Sequence, residues 1–192
     1  NNTKIKFIDH HLSHAHYAYF ASPFREKECI VITADGVGDF GINATISKVD
    51  KNKIKRILAT KKQIIGRLWR YMTLLLGMKP QQHEYKLMGL APYADKNIAN
   101  KVYKKLSEYL EVEGVDFKSN KKPKDLYYYF KDLFEGLRFD GIAGGLQKWT
   151  EKIFTSWLRN IIKERKIKRV VFSGGIAMNI KLNMAIHNMK EV

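Results

Sequence analysis

Four histidines lie close together near the start of this sequence, in the stretch IDHHLSHAHYAYF at residues 8–20. His10 and His14 are four positions apart, so on a helix their imidazoles project from one face and can share a metal ion. His11 and His16 would point elsewhere on the same helix. The alternative is a polar helix end whose histidines bind nothing.

A second polar group, DGVGD at residues 35–39, follows an apolar run. Gly36 and Gly38 would let backbone N–H groups approach an anion closely, and the carboxylates of Asp35 and Asp39 could hold a metal that bridges phosphates. An ordinary hairpin turn has a similar composition and is the alternative. Two acids and two glycines in five residues strengthen the functional interpretation of the turn.

The stretch SGGIAMN at residues 173–179 follows an apolar run and precedes a helix-like segment. Gly174 and Gly175 would permit a ligand ring to lie against the backbone, close to a helix start at Asn179. The glycine spacing fits neither a P-loop nor a dinucleotide fingerprint. A helix–strand packing turn is the alternative.

A fourth group, HEYK at residues 83–86, combines a base, an acid and a cation before the stretch LMGLAPY. Glu84 and Lys86 are its charged members. Taken alone, the group could be a surface cluster of salt bridges.

The elements that would position these groups follow from hydrophobic periodicity and turn residues. Three strands read as an antiparallel meander, at residues 29–34, 42–49 and 54–60, and a strand at 168–173 is expected to lie parallel to the first of them. Residues 4–9 read as a further short strand and residues 114–124 as a loop. Predicted helices begin at the histidine cluster and at residue 179, and others cover residues 68–76, 97–110, 142–165 and the aromatic run LYYYFKDLF. The pattern predicts an α/β fold with a mixed sheet.

Composition limits the classes of function. The 192 residues carry a formal net charge of +16, which would attract phosphate-bearing partners, although the lysines are scattered and form no known nucleic-acid-binding signature. No apolar run approaches the roughly 20 residues of a membrane span. Cys29 is the single cysteine and cannot form an internal disulfide, which fits a reducing, cytoplasmic location.

Read in order, HHLSH, TADGVGD, EYKLMGLAPY and SGGIAMN resemble the carbamoyltransferase family of nodulation and antibiotic-tailoring enzymes. This family is related to hydrogenase-maturation carbamoyltransferases and to tRNA threonylcarbamoyl-transfer proteins. The resemblance implies the actin-like ATPase fold, with two ribonuclease-H-like halves around a nucleotide cleft. Residues 1–25 would end the first half and residues 26–192 would form most of the second, so the resemblance predicts a fragment that is inactive alone.

The resemblance also implies roles for individual residues. A divalent metal, reported as iron in some members, would bind His10, His14 and Asp35, with a further aspartate beyond residue 192. Glu84 and Lys86 would lie near the cleft, next to His83 where the family commonly has glycine. The residues expected to bind nucleotide are Gly36, Gly38, Asp39, Gly174, Gly175 and Asn179.

The implied reaction uses ATP and carbamoyl phosphate to make carbamoyl-adenylate, from which an acceptor hydroxyl takes the carbamoyl group. No Ser–His–Asp or Cys–His arrangement is visible, so positioning and electrostatics are expected to dominate and no catalytic residue is assigned. Two alternatives are a non-enzymatic nucleotide-binding protein of the same fold and a basic nucleic-acid-binding module. The acceptor and the oligomeric state are not predicted.

Overall fold

The computed structural model describes residues 3–192 and has an α/β architecture, as the sequence predicts. The helices are α1 (His10–Ala21), α2 (Ile65–Leu75), α3 (Glu84–Leu90), α4 (Lys96–Tyr109), α5 (Leu126–Phe134), α6 (Phe139–Arg165) and α7 (Ile180–His187). The strands are β1 (Cys29–Ala34), β2 (Ala44–Asp50), β3 (Lys53–Thr60), β4 (Leu110–Glu113), β5 (Asp116–Ser119) and β6 (Val170–Ser173).

The main sheet has the strand order β3-β2-β1-β6. Strands β1, β2 and β3 are antiparallel neighbours, and β6 returns parallel to β1. Ile32 at the centre of β1 lies opposite Ile46 of β2 and Phe172 of β6. The predicted meander and the predicted mixed sheet are therefore confirmed.

Strand β1 is buried on both faces of the sheet. Cys29 and Val31 contribute to a small cluster against α1, whereas Ile30 and Ile32 contribute to the main core with α6. The other buried side chains of the small cluster are Ala15, Ala18, Tyr19, Val49 and Val171. Because burying one aliphatic side chain contributes about 1.5–3 kcal/mol, both clusters help to hold α1 and α6 on opposite sides of β1.

Helices α4 and α6 approach each other closely because α6 contains glycine where they meet. A Cβ atom added at Gly145 would lie 2.5 Å from Val102 Cβ and 2.7 Å from the carbonyl oxygen of Ala99. A Cβ atom at Gly141 would lie 2.3 Å from Ile98. These glycines let α4 cover the buried face of α6.

The strand predicted at residues 4–9 is wrong. The segment has no regular structure, and no strand among the described residues pairs with it. Ile5 and Phe7 are 77% and 93% exposed. The alternation of polar and apolar residues was present, but a strand also needs a hydrogen-bonding neighbour.

The loop predicted at residues 114–124 is wrong in its first half. Strand β5 pairs with β4 across a two-residue turn, with Glu113 opposite Asp116. Gly114 has a positive φ of 61°, which suits such a turn, and Phe117 is fully buried. The polar residues around Phe117 conceal the hairpin in the sequence.

Two expectations from the resemblance stay predictions. These are the actin-like ATPase fold and the division into segments 1–25 and 26–192, of which residues 1–2 lie outside the described residues. Helix α1 of the first segment packs on the sheet of the second.

Across residues 3–192, none of the helices combines the length and the apolar character that crossing a membrane would require.

Candidate metal and nucleotide site

The candidate site lies where the parallel strands β1 and β6 end side by side. Thr33 is in register with Ser173, so the chain after β1 and the chain after β6 emerge at the same edge of the sheet. Asp35 follows the first strand and Gly175 the second. In open α/β sheets, ligands bind outside the carboxyl ends of the strands.

Helix α1 brings two histidines to this edge. Its N-cap is Asp9, whose side chain accepts a hydrogen bond from Leu12 N at 2.7 Å and forms an ion pair with Arg56 of β3. The cap fixes where the helix begins, and the 3.6-residue period then places His10 and His14 on one face.

The two imidazoles converge on one carboxylate oxygen. His10 Nε2 and His14 Nε2 each lie 3.2 Å from Asp35 Oδ2. One potential ligand atom from each of the three residues lies within 4.8 Å of the other two. The structure thus brings together the three residues that the family resemblance implies as metal ligands.

Asp35 is held in its charged form. Burial by itself would raise the pKa of this carboxyl, but hydrogen bonds from Gly36 N–H, from His10 and from Gly175 N–H outweigh it. The pKa of Asp35 therefore lies below its ordinary value. The Gly36 N–H donates to Asp35 Oδ1 at 2.9 Å.

His11 has a different place from its neighbour His10. Its side chain is 1% exposed and lies 2.8 Å from Thr33 Oγ1 through Nδ1 and 3.0 Å from the Ile42 carbonyl oxygen through Nε2. Because a carbonyl only accepts, Nε2 carries the proton and Nδ1 accepts from Thr33. His11 joins α1 to the sheet and to the loop at residues 35–43. His16 is exposed and stacks on Phe20.

A cavity of about 400 Å³ opens beside the three converging residues. The predicted site residues that line this cavity are Asp35, Gly36, Glu84, Gly175 and Asn179. Such a volume falls in the usual range for small-molecule sites, about 300–1,000 Å³.

Six predicted residues lie outside the cavity lining: His10 and His14, described above, and Gly38, Asp39, Gly174 and Lys86. Gly174 has φ 102°, and a Cβ atom there would lie 2.3 Å from the Ala34 carbonyl oxygen, so glycine is needed for the close approach of two strand ends. A Cβ atom at Gly38 would meet the rings of two histidines at 2.8 Å. Asp39 Oδ2 accepts the His10 backbone N–H at 2.8 Å, and exposed Lys86 lies 5.9 Å from the ring of Tyr85.

Asn179 has a structural task at the cavity wall. Its Oδ1 caps α7 by accepting from Leu182 N at 2.9 Å, and its amide exchanges hydrogen bonds with Gln147 of α6 at 2.9 and 3.2 Å. These contacts use one of the two N–H donors of the side chain. A ligand could therefore receive one more hydrogen bond from Asn179.

The sequence reasoning missed two cationic residues of this cavity. Arg67 and Arg70 lie one turn apart on α2 and both line it. A Cβ atom at Gly66 would lie 2.7 Å from Gly36 N, so this glycine allows α2 to begin directly against the Asp35 turn. The i, i+3 spacing of the arginines in GRLWR was the available signal.

Gln81, Gln82 and Tyr85 also line the cavity and were not predicted. They lie in and just before α3, beside Glu84. The side chains that complete the cavity are mostly apolar, including Trp69, Met88 and Ile176.

Comparison with known sequences identifies the family of the chain. The family described as Carbamoyltransferase N-terminus matches residues 1–191, and the chain belongs to that family. The family resemblance of the four motifs is confirmed.

Several curated proteins are similar over nearly the whole chain. An uncharacterized protein of Methanocaldococcus jannaschii is 32% identical over 194 residues, which cover 96% of this chain and 36% of that protein. Nodulation protein NolNO of Sinorhizobium fredii is 30% identical over 94% of this chain and 27% of its own length. Nodulation protein NolO of Bradyrhizobium diazoefficiens is 26% identical, with 92% and 32% covered. The chain spans about a third of the length of these relatives.

Proposed function

We propose that this chain is part of an enzyme that transfers a carbamoyl group from carbamoyl phosphate, through carbamoyl-adenylate made with ATP, to an acceptor hydroxyl. Membership of the Carbamoyltransferase N-terminus family supports carbamoyl transfer in general. The observation that carries the proposal is the convergence of His10, His14 and Asp35 beside a cavity that also exposes Gly36 and Gly175.

The proposal includes a divalent metal, iron by the family resemblance, held by His10, His14 and Asp35. Two ligand atoms bound to one metal at about 2.1 Å lie roughly 3.0–3.4 Å apart, and each histidine nitrogen lies 3.2 Å from the Asp35 oxygen. Two imidazoles and a carboxylate form a donor set that suits iron or zinc. Such a metal supplies Lewis-acid stabilisation of phosphoryl or acyl oxygens.

The protein residues would orient the adenylate. The Gly36 backbone lies at the open side of the cavity, where a Cβ atom would meet nothing within 4 Å, so a phosphate can come close to it. Arg67 and Arg70 supply positive charge to the same space, and guanidinium groups bind phosphate in a fixed geometry. The loop residue Gly175 and Asn179 form the wall proposed for adenosine.

The transfer step forms one bond and breaks one. The acceptor oxygen bonds to the carbamoyl carbon, the bond from that carbon to the adenylate phosphoryl oxygen breaks, and adenosine monophosphate leaves. The hydroxyl proton leaves to water. Arg67 and Arg70 would stabilise the charge that develops on the leaving phosphate.

The test is transfer of radiolabel from carbamoyl phosphate to hydroxyl compounds by the protein expressed from its complete open reading frame. Transfer should require ATP, and His14→Ala should lower it by about a hundredfold or more. The control is His16→Ala, on the exposed side of the same helix. A parent protein that carbamoylates no hydroxyl compound contradicts the proposal.

Gly175→Leu tests the proposed nucleotide wall. A Cβ atom at residue 175 would already lie 2.8 Å from Asp35 Oδ1. The larger side chain should therefore displace Asp35 and enter the cavity, and ATP affinity should fall by about tenfold or more. Gly89→Leu is the control because its Cβ meets nothing within 4 Å. ATP binding by Gly175→Leu equal to that of the parent would reject the assignment.

The two alternatives predict different outcomes in these experiments. A nucleotide-binding protein without transferase activity would bind ATP, and its function would not depend on a metal held by His10 and His14. A nucleic-acid module would bind through scattered lysines and would be insensitive to Gly175→Leu.

A further inference from the structure

A second concave surface lies next to the candidate site. We call it the lysine groove; its volume is about 630 Å³. Ile64, which caps α2, and Arg67 and Tyr71 of α2 form one part of its lining. Residues 117–119 of β5 and residues 121–126 of the following segment form another part.

The groove is strongly basic. Seven basic side chains line it and only two acidic ones, Glu113 and Asp125. Glu113 pairs with Lys118 at 3.5 Å, and the Asp125 carboxylate accepts the Tyr128 backbone N–H at 3.0 Å. Both acids are therefore already engaged.

Most of the basic side chains have no acidic partner. Lys62 is paired with Asp116 at 2.9 Å. Within residues 3–192, no carboxylate forms an ion pair with the remaining groove cations, which are Lys61, Arg67, Lys121, Lys122 and Lys124. An anion in this groove would meet positive charge from two sides.

The groove is a shaped surface and not a stretch of scattered lysines. Tyr109 and Phe117 form a floor and are 5% and 0% exposed. The Asn120 N–H donates to the Tyr109 carbonyl at 2.9 Å, which fixes the start of the lysine-rich segment. Asp125 ends that segment by capping α5.

The groove adjoins the candidate site at one residue. Arg67 lines both the groove and the cavity that contains Asp35. A ligand that places an anionic group among the lysines can therefore extend an uncharged part past Arg67 toward the proposed carbamoyl donor.

We propose that the lysine groove binds the phosphate of the acceptor, so that the acceptor is a small hydroxyl compound that bears phosphate. The inference rests on the proposed function. The short concave shape fits one small molecule, since sites of about 300–1,000 Å³ are typical for such ligands. The groove cations would bind phosphate through charge-assisted hydrogen bonds.

Binding of uridine diphosphate glucose, with glucose as the uncharged comparison, tests the groove on the protein expressed from its complete open reading frame. The groove variant combines Lys121→Gln, Lys122→Gln and Lys124→Gln. The charge-matched control combines three exposed lysines of α4, Lys96→Gln, Lys101→Gln and Lys104→Gln. Both variants should unfold at the parent's temperature, since the altered side chains are exposed.

The groove variant should bind the phosphorylated probe roughly tenfold more weakly, and the control should stay within about twofold of the parent. Glucose should bind none of the proteins measurably. Equal weakening in both variants would mean attraction by overall charge and would overturn the inference. Binding of a short single-stranded oligonucleotide through the groove lysines, without binding of uridine diphosphate glucose, would also overturn the inference.

A transfer assay separates this inference from the proposed function. If the groove serves the acceptor, phosphorylated acceptors should be carbamoylated with a lower KM than their dephosphorylated forms, and the groove variant should raise that KM with little change in kcat. Equal KM values for both forms would overturn the inference and leave carbamoyl transfer intact. Phosphate binding in the groove without any carbamoyl transfer would overturn the proposed function and leave the groove as a phosphate site.

Discussion

Neighbouring histidines on α1 have opposite environments. His10 faces the cavity edge and approaches Asp35, whereas His11 is buried between Thr33 and the Ile42 carbonyl. The one-residue step turns the side chain by about 100° around the helix. His11 therefore serves the structure, and the site depends on it only through the position of α1.

His11→Ala should lower the free energy of unfolding by about 1–3 kcal/mol. The substitution removes the hydrogen-bond partner of the Ile42 carbonyl oxygen and of the Thr33 hydroxyl, and it leaves a cavity in place of the ring. His16→Ala on the exposed face should change stability by less than about 0.5 kcal/mol. Urea unfolding of the parent and both variants measures the difference. Equal stabilities for the two variants would contradict the structural role of His11.

Cys29 should be unreactive in the folded protein. Burial raises the pKa of its thiol from 9.0 to about 11, and the residue is 0% exposed. Because the thiolate is the reactive form, alkylation by iodoacetamide at pH 8 should be at least roughly a hundredfold slower than in urea. Mass spectrometry of the alkylated chain gives both rates. Similar rates in buffer and in urea would place the thiol outside the core.

Spacing along the chain identified part of the candidate site. The i, i+4 interval of His10 and His14 is a property of one helix, so the sequence shows it directly. Their approach to Asp35 depends on the pairing of β1 with the sheet, and its prediction came from the family resemblance. Arg67 and Arg70 come from a helix that reaches the cavity by tertiary packing. Their i, i+3 spacing indicates a shared helix face but not which surface that face contacts.

Among the helices, α4 and α6 show how glycine sets the distance between elements. Gly145 gives α6 a flat surface against Val102 and the Ala99 carbonyl. Helical periodicity predicted α6 from residue 142 onward, but it gave no information on which helix covers the glycine surface. The tertiary fold determines that α4 is the helix that packs there.

Gly145→Ala should destabilise the protein by about 1–3 kcal/mol, because the new methyl group overlaps Val102 and Ala99. Gly89→Ala on α3 is the matched control, since its Cβ meets nothing within 4 Å. The control should stabilise the protein by up to about 1 kcal/mol through helix propensity. Thermal unfolding compares the two variants, and a neutral Gly145→Ala would show that α4 and α6 can separate without loss.

Strand prediction succeeded for β1, β2, β3 and β6, which pair in one sheet. The continuous apolar run of β1 and the polar–apolar alternation of β2 identified these strands in the sequence. Residues 4–9 alternate in the same way but have no pairing neighbour among the described residues. The β4–β5 hairpin was missed because Phe117 is the only buried side chain of β5 and polar residues surround it.

The molecule as a whole combines a net charge of +16 with two adjacent concave surfaces. The net charge alone attracts any polyanion, and this attraction weakens as the salt concentration rises. The lysine groove and the cavity beside Asp35 concentrate positive charge locally, because seven basic side chains line the groove and two arginines line the cavity. Composition predicts the attraction, and only the tertiary arrangement shows where it is concentrated.

The metal content of the protein expressed from its complete open reading frame tests the central claim most directly. After reconstitution with iron(II) and removal of excess metal, the parent and His16→Ala should each retain about one ion per chain by mass spectrometry. His14→Ala should retain essentially none, because it removes one of the three converging ligands. A parent without bound metal, or a His14→Ala variant that binds as much as the parent, would contradict the account.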